Sequence, residues 1–275
     1  LSVYAYDICL YEGNAKSNLV RARARENQVI LVNDWQELTK KADMFFCLTS
    51  AASALSVAKE IAPLLQKGQI YIDMNTTSPH IKEKIGKVFE QSKADFVEAA
   101  VMSSVPTKRT QVPIWLCGKR SAETALQLNS IGMNVKAFSE ELGQASAVKM
   151  LKSILAKGII AVVTETIFCT EKYKVTDIVL KEEKEFLDEL GFFEYCNHDI
   201  TQAVTHCERF YHEMEEVFAT VQAIGENGIM THAAAQKFKW LTEEGYNKHF
   251  LTRPESYHDI IIIKNELKNR KEGNL

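Results

Sequence analysis

The sequence lacks the features of a secreted, membrane or nucleic-acid-binding protein. Its six cysteines include no CxxC pair, and 275 residues can bury enough apolar surface to fold without disulfides. No uninterrupted apolar run reaches the ~18 residues of a membrane span, and Asp7 and Glu12 interrupt the apolar core that a signal peptide would need. A formal net charge of −3 does not produce the positive electrostatic potential that attracts nucleic acid. We expect a cytoplasmic globular protein with reduced thiols.

The spacing that metal ligands require is also missing. His and Cys side chains gather in one region, at Cys196, His198, His206, Cys207 and His212, but they include no HxxxH or CxxC pair. His206 and Cys207 are neighbours and would point to different faces of a helix. We therefore predict no metal site.

The first half of the chain alternates short apolar runs with amphipathic stretches, for example 52–65 and 79–91. Seven runs are strand candidates: 2–6, 29–32, 44–48, 69–74, 96–101, 114–117 and 135–138. Such alternation is typical of βαβ units and predicts an α/β, Rossmann-like, mostly parallel sheet that is covered on both faces.

The pattern changes near Gly143. Residues 145–173 contain no proline and only one glycine, Gly158, and their apolar positions recur at helical spacing. Further helical patterns cover 182–190, 200–225 and 232–244, while 260–263 fits either a last helix or a short strand. We predict a dinucleotide-binding domain over 1–142 and an all-helical domain over 143–275.

Asp7 ends the first predicted strand. An acidic residue at the end of the second strand of a dinucleotide-binding fold accepts hydrogen bonds from the adenosine ribose, which would favour NAD over NADP. Asp7 could equally cap the turn that follows it. The glycine-rich loop of this fold should lie ~20 residues upstream of the acid, yet GxGxxG occurs nowhere in the sequence. Because the missing strand would be the central one of the sheet, we expect a truncated sequence rather than a degenerate domain.

Small polar residues follow two more predicted strands: Leu48 and Thr49 after the third, and Asn75 and Thr76 after the fourth. Ligands of open α/β sheets bind beyond the carboxyl ends of the strands. These residues are therefore candidates for contact with the pyrophosphate, ribose or carboxamide of the cofactor. Thr77 or Ser78 could also cap the helix that begins at Pro79.

Three segments resemble motifs of β-hydroxyacid dehydrogenases, the family that contains 3-hydroxyisobutyrate and 6-phosphogluconate dehydrogenases. They are Asp-Met-Asn-Thr-Thr-Ser-Pro at 73–79, Glu-Ala-Ala-Val-Met-Ser-Ser at 98–104, and the segment 143–153 around Lys149. The resemblance implies an NAD cofactor, a small hydroxy-acid substrate and a homodimer formed through the long helix. The chain looks most like a branch whose helical domain has no known function.

The resemblance also implies individual roles. Lys149 stands at the catalytic lysine, and Met102, Ser103 and Ser104 stand in the substrate-binding segment, where the family has serine and two glycines. Ser153 replaces a family asparagine. His212 and Glu213 stand where better-known members place a lysine and an aspartate that line the active site.

The residues themselves leave alternatives open. On helical spacing alone, Lys149 is a surface lysine, although Ser146 and Ser153 would share its helix face. Lys152 lies near the same face, and Lys108 or Arg109 could bind an acid substrate. We predict an NAD-dependent dehydrogenase that acts on a CH–OH group. The alternatives are a non-catalytic dimeric scaffold that has lost its cofactor, and an imine or keto-acid reductase on the same fold.

Overall fold

The computed structural model describes residues 1–273, which form two compact units on either side of the boundary between residues 154 and 155. The strands are β1 Tyr4–Ala5, β2 Ile30–Leu31, β3 Met44–Cys47, β4 Ile70–Asp73, β5 Asp95–Val101, β6 Pro113–Cys117 and β7 Asn134–Ser139. The helices between them are α1 Ala15–Glu26, α2 Trp35–Lys41, α3 Ala54–Ile61, α4 Pro79–Phe89, α5 Val105–Lys108 and α6 Ser121–Ser130. All seven predicted strands form, and the mostly parallel α/β fold is confirmed.

The strands form two sheets. β1 pairs with β2 in a parallel two-stranded sheet, and the other five lie in the order β3-β4-β5-β6-β7. The only antiparallel pair among the described strands is β5 with β6. β1 does not pair with β3, so the two sheets are separate.

The five-stranded sheet is covered on both faces, as predicted. On one face Phe45, Tyr71 and Phe96 pack against α3 and α4. On the other face Ile72 and Leu116, with neighbouring strand residues, pack against α6. The central strands β4 and β5 therefore bury side chains on both sides, which explains their nearly continuous apolar sequences.

The second half of the chain is helical, as predicted. Its helices are α7 Gln144–Tyr173, α8 Thr176–Leu190, α9 Phe192–Ala223, α10 Ile229–Glu243, α11 Tyr246–His249 and α12 Tyr257–Lys271. The 260–263 run lies inside α12, so the helical alternative is correct. Several predicted helices are too short; α9 begins at Phe192 rather than at residue 200, and it bends at His206, whose φ and ψ are −115° and 22°.

The core of the second unit forms around α9. Val204 and Cys207 are fully buried and pack with Leu241 of α10, Tyr246 of α11 and Ile260 of α12. In contrast, no described residue of α7 beyond Ser146 is buried. By length and apolar composition α7 could cross a membrane, which the search for uninterrupted apolar runs did not indicate.

Candidate active site

The candidate site lies at the carboxyl ends of β3, β4 and β5, where the first turns of α7 belong to the same unit. Lys149 Nζ donates a hydrogen bond of 2.9 Å to Thr76 Oγ1. The predicted catalytic lysine thus contacts one of the predicted cofactor residues, although 73 positions separate them in sequence. Lys149 is half-buried rather than a fully solvated surface lysine.

Burial lowers the pKa of Lys149, and the positive charge of Lys82 lowers it further. An amine whose pKa is lowered is a better proton acceptor near neutral pH than an ordinary lysine. Ser153 donates its hydroxyl hydrogen to the carbonyl of Lys149 at 3.3 Å, so this bond lies within the helix. Ser146 is buried.

Glu98 fixes the start of α7. Its carboxylate is fully buried and accepts backbone N–H groups from both Gly143 and Ser146, the second at 2.7 Å. These are donors that a helix start leaves without intrahelical partners, and a negative charge there is favoured by the helix dipole. Glu98 therefore ties β5, which leads into the substrate segment, to the helix that carries Lys149.

Gly143 and Ala145 allow this close approach. Gly143 has φ +91°, and a Cβ at this position would lie 3.1 Å from Cβ of Pro79. Ala145 is fully buried and packs with Ala100 and Cys117. Small residues thus bring the first turn of α7 onto the sheet and onto the start of α4.

Hydrogen bonds from Asn75 to the Asp73 carboxylate fix the conformation of the 73–76 turn. Asp73 Oδ1 accepts hydrogen bonds from Asn75 Nδ2 at 2.5 Å and from Asn75 N at 3.3 Å. Asn75 Nδ2 also lies 3.2 Å from Cys47 Sγ, at the end of β3. The polar strand ends predicted from the sequence are therefore connected to one another. The predicted side-chain caps of α4 are wrong: neither hydroxyl serves, because Ser78 makes no side-chain cap bond and Thr77 Oγ1 is buried with no partner among residues 1–273.

The other predicted residues of this unit lie as follows. Met102 is half-buried and packs against the cluster around Ala145, whereas Ser103 and Ser104 are exposed. Leu48 and Thr49 are exposed at the end of β3. Asp7 caps the short turn after β1, since its carboxylate accepts the N–H of Cys9 at 2.8 Å.

His212 and Glu213 belong to α9, in the second unit. Both are exposed, and Glu213 forms an ion pair of 2.8 Å with Arg209 one turn earlier. All six cysteines are free thiols; Cys47, Cys117 and Cys207 are buried. Within residues 1–273, no three His, Cys, Asp or Glu side chains are grouped as metal ligands would be.

The sequence interpretation missed Glu98 as an anchor, and it missed Lys82. A signal for Lys82 was present, because it shares one helical face of α4 with Ile85, Gly86 and Phe89, all of which are buried. A charge on an apolar face indicates a buried partner. Glu98 carried a similar signal, because it interrupts the buried apolar run of β5, but its partners lie 45 and 48 residues away in the sequence.

The fold and the site define a dinucleotide-binding α/β domain followed by a helical domain. Residues 4–136 match the NAD-binding domain of 6-phosphogluconate dehydrogenase, and residues 171–241 match a domain of unknown function, DUF1932. A conserved hypothetical protein from Sinorhizobium meliloti 1021 is 31% identical, over 93% of this chain and 85% of the other, with a TM-score of 0.59. The chain belongs to the 6-phosphogluconate dehydrogenase-like, or β-hydroxyacid dehydrogenase, family, in the branch that carries this helical domain.

Two further structures are similar. The conserved protein MTH1747, of unknown function and described as structurally similar to 3-hydroxyacid dehydrogenases, is 27% identical over 88% of each chain, with a TM-score of 0.58. An imine reductase from Streptomyces aurantiacus has a TM-score of 0.70 at 12% identity, and covers 90% of this chain and 96% of its own. At that identity the second likeness concerns the fold alone.

Proposed function

We propose that this protein is an NAD-dependent oxidoreductase that transfers a hydride between the nicotinamide and a small hydroxy acid. The observation that carries the proposal is the hydrogen bond from Lys149 Nζ to Thr76 Oγ1. It brings the amine of one family motif to the strand end of another, at the edge where open α/β sheets bind their ligands. The family relation and the likeness of MTH1747 to 3-hydroxyacid dehydrogenases support the same chemistry.

The residues present fit the nicotinamide end of the cofactor. The hydroxyl and amide groups of Thr49, Asn75 and Thr76 lie at strand ends, and the buried Thr77 hydroxyl has no partner among the described residues. Asp7 would accept ribose hydroxyls and repel a 2′-phosphate, which favours NAD. We assign no residue to the pyrophosphate, because GxGxxG does not occur in this sequence.

The chain's own part in the reaction is proton transfer and orientation. The bound nicotinamide would supply the hydride acceptor. The amine of Lys149, neutral when it acts as a base, takes the hydroxyl proton of the substrate. The exposed Ser103 and Ser104 would hold the substrate carboxylate beside the half-buried Met102. Ser153, His212 and Glu213 remain proposed substrate residues on the family resemblance alone.

The test replaces Lys149 by alanine. Lys149→Ala should abolish NAD-dependent oxidation across a panel of small hydroxy acids while thermal-shift binding of NAD is retained. The matched control is Lys87→Ala, which removes an exposed lysine of α4 and should leave the rate unchanged. Turnover at the wild-type rate in Lys149→Ala would refute the proposed mechanism.

Imine or keto-acid reduction is the second candidate, favoured by the fold likeness to imine reductases. In that direction Lys149 would act as an ammonium that donates a proton. Oxidation of hydroxy acids and NAD(P)H-dependent reduction of cyclic imines, measured side by side, separate the two. A protein that shows neither activity and no thermal shift with NAD, NADH or NADPH would be a non-catalytic scaffold.

The uncovered apolar surface of α7 supports a homodimer formed through the helical domain. Ile154, Ile160 and Phe168 are 71%, 65% and 58% exposed, and continuous exposed apolar surface marks an interaction site. We propose a second copy of this chain as the partner, in the cytoplasm. Light scattering after gel filtration should give a mass of two chains. A monomer that stays in solution only with detergent would favour a membrane instead.

A further inference from the structure

Lys82 is a fully buried lysine beside the proposed site. Its ammonium donates to Asp73 Oδ2 at 2.6 Å and to the Asp73 carbonyl at 2.9 Å, and both side chains have no exposed surface. The other carboxylate oxygen of Asp73 holds Asn75. The residue after Asn75 is Thr76, which accepts the hydrogen bond from Lys149. Lys82 thus anchors the turn that Lys149 contacts.

Stability alone is a poor explanation for this pair. Removing two charges from water costs several kcal/mol per ion, and well-packed apolar residues in place of a buried ion pair are often about as stable or more so. The surroundings of Lys82 on α4 would suit such a residue, because Ile85, Gly86 and Phe89 are buried on the same face. A role for the charge itself accounts better for its presence.

We propose that Lys82 is a positioning residue for Lys149: through Asp73, its buried ammonium fixes the Asn75–Thr76 turn to which the Lys149 amine is hydrogen-bonded. This inference rests on the proposed function of Lys149 and deepens it. It assigns to α4 a part in the reaction that the three family motifs do not contain.

The electrostatics around Lys149 agree with this geometry. The charged groups on the surrounding elements are Lys82 and Glu83 on α4, Asp73 at the end of β4, Glu98 on β5 and Lys152 on α7. Asp73 is bound to Lys82, and Glu98 to the backbone of α7. After burial, the charge of Lys82 is the remaining cause that lowers the pKa of Lys149.

A nearby cation is one of the ways in which proteins keep a lysine neutral and reactive. Lys82 is fully buried and donates to the Asp73 carboxylate, whereas Lys149 is half-buried and has only the Thr76 hydroxyl as its partner in the described structure. Lys149 is therefore the amine that exchanges protons with a substrate.

The test measures the protonation of Lys149 without turnover. The full-length protein is pulse-labelled with acetic anhydride from pH 6 to pH 11, and modification of Lys149 is quantified by peptide mass spectrometry, with Lys149→Arg to assign the peptide. Lys82→Met should move the Lys149 midpoint to higher pH and reduce its modification at pH 8 several-fold. Lys84→Met, which removes an exposed charge from the same helix, should move neither.

Lys82→Met leaves Asp73 buried without its partner, so the double variant Asp73→Asn with Lys82→Met serves as the second arm. It should also move the midpoint upward, because without the Lys82 ammonium the 73–76 turn no longer holds Lys149 in its half-buried position. An unchanged midpoint in the folded double variant overturns the proposal. Since labelling needs no substrate, that result is distinct from full turnover in Lys149→Ala, which would overturn the proposed function instead.

Discussion

Replacing Glu98 by glutamine should destabilise the α/β unit by about 2–4 kcal/mol, since hydrogen bonds to charged groups contribute about 1.5–3 kcal/mol each and an unpaired buried donor costs about 1–3 kcal/mol. Glu98 is fully buried and accepts two N–H groups at the start of α7. Gly143 and Ser146 donate to different oxygens of Glu98, and glutamine replaces one of these oxygens by an NH₂ group. This NH₂ group would face one of the two donors in a place that water does not reach.

Urea unfolding followed by tryptophan fluorescence measures this effect. Trp35 and Trp115 lie in the first unit and Trp240 in the second, so a Trp240→Phe background reports on the α/β unit alone. Glu98→Gln should lower the midpoint without changing the m-value. The control Glu26→Gln removes the same charge from an exposed position. A loss for Glu98→Gln below about 0.5 kcal/mol, the range of ordinary surface substitutions, would refute the reasoning.

Three further outcomes are expected. Gly143→Ala should cost about 1–3 kcal/mol in the same assay, because φ +91° strains an L-residue and the new Cβ meets Pro79; full stability would contradict this. Burial lowers the pKa of Lys149 in the folded protein below the 10.5 of an ordinary lysine. The stability linked to this shift is therefore fully present above pH 10.5 and is lost as the pH falls through the pKa of the folded state. Unfolding at a series of pH values should therefore show a rise with pH that Lys149→Met removes. Burial raises the pKa of the Cys117 thiol to about 11, so Cys117 should resist a thiol reagent at pH 8 until the protein unfolds, and rapid labelling of the native protein would show the opposite.

Local sequence patterns specify most of the strands and helices of this fold. Apolar runs of strand length and helical spacing are local patterns, and they located seven strands and the helix from Gln144 to Tyr173. The resemblance at 73–79 and 143–153 identifies Thr76 and Lys149 as site residues, and the structure shows a hydrogen bond between them. Exact ends were less well predicted: α9 begins at Phe192, directly after its N-cap Gly191, rather than at residue 200.

Contacts between residues that are distant in sequence depend on how the strands and helices pack. Three contacts depend on packing between elements far apart in sequence. β6 pairs antiparallel with β5, Glu98 accepts backbone N–H groups of α7, and Lys82 is buried against Asp73. A side chain's partner across such distances is set by the close packing of the core, where an unpaired charge is too costly to keep. Local periodicity shows which face is buried, but only packing shows what lies opposite it.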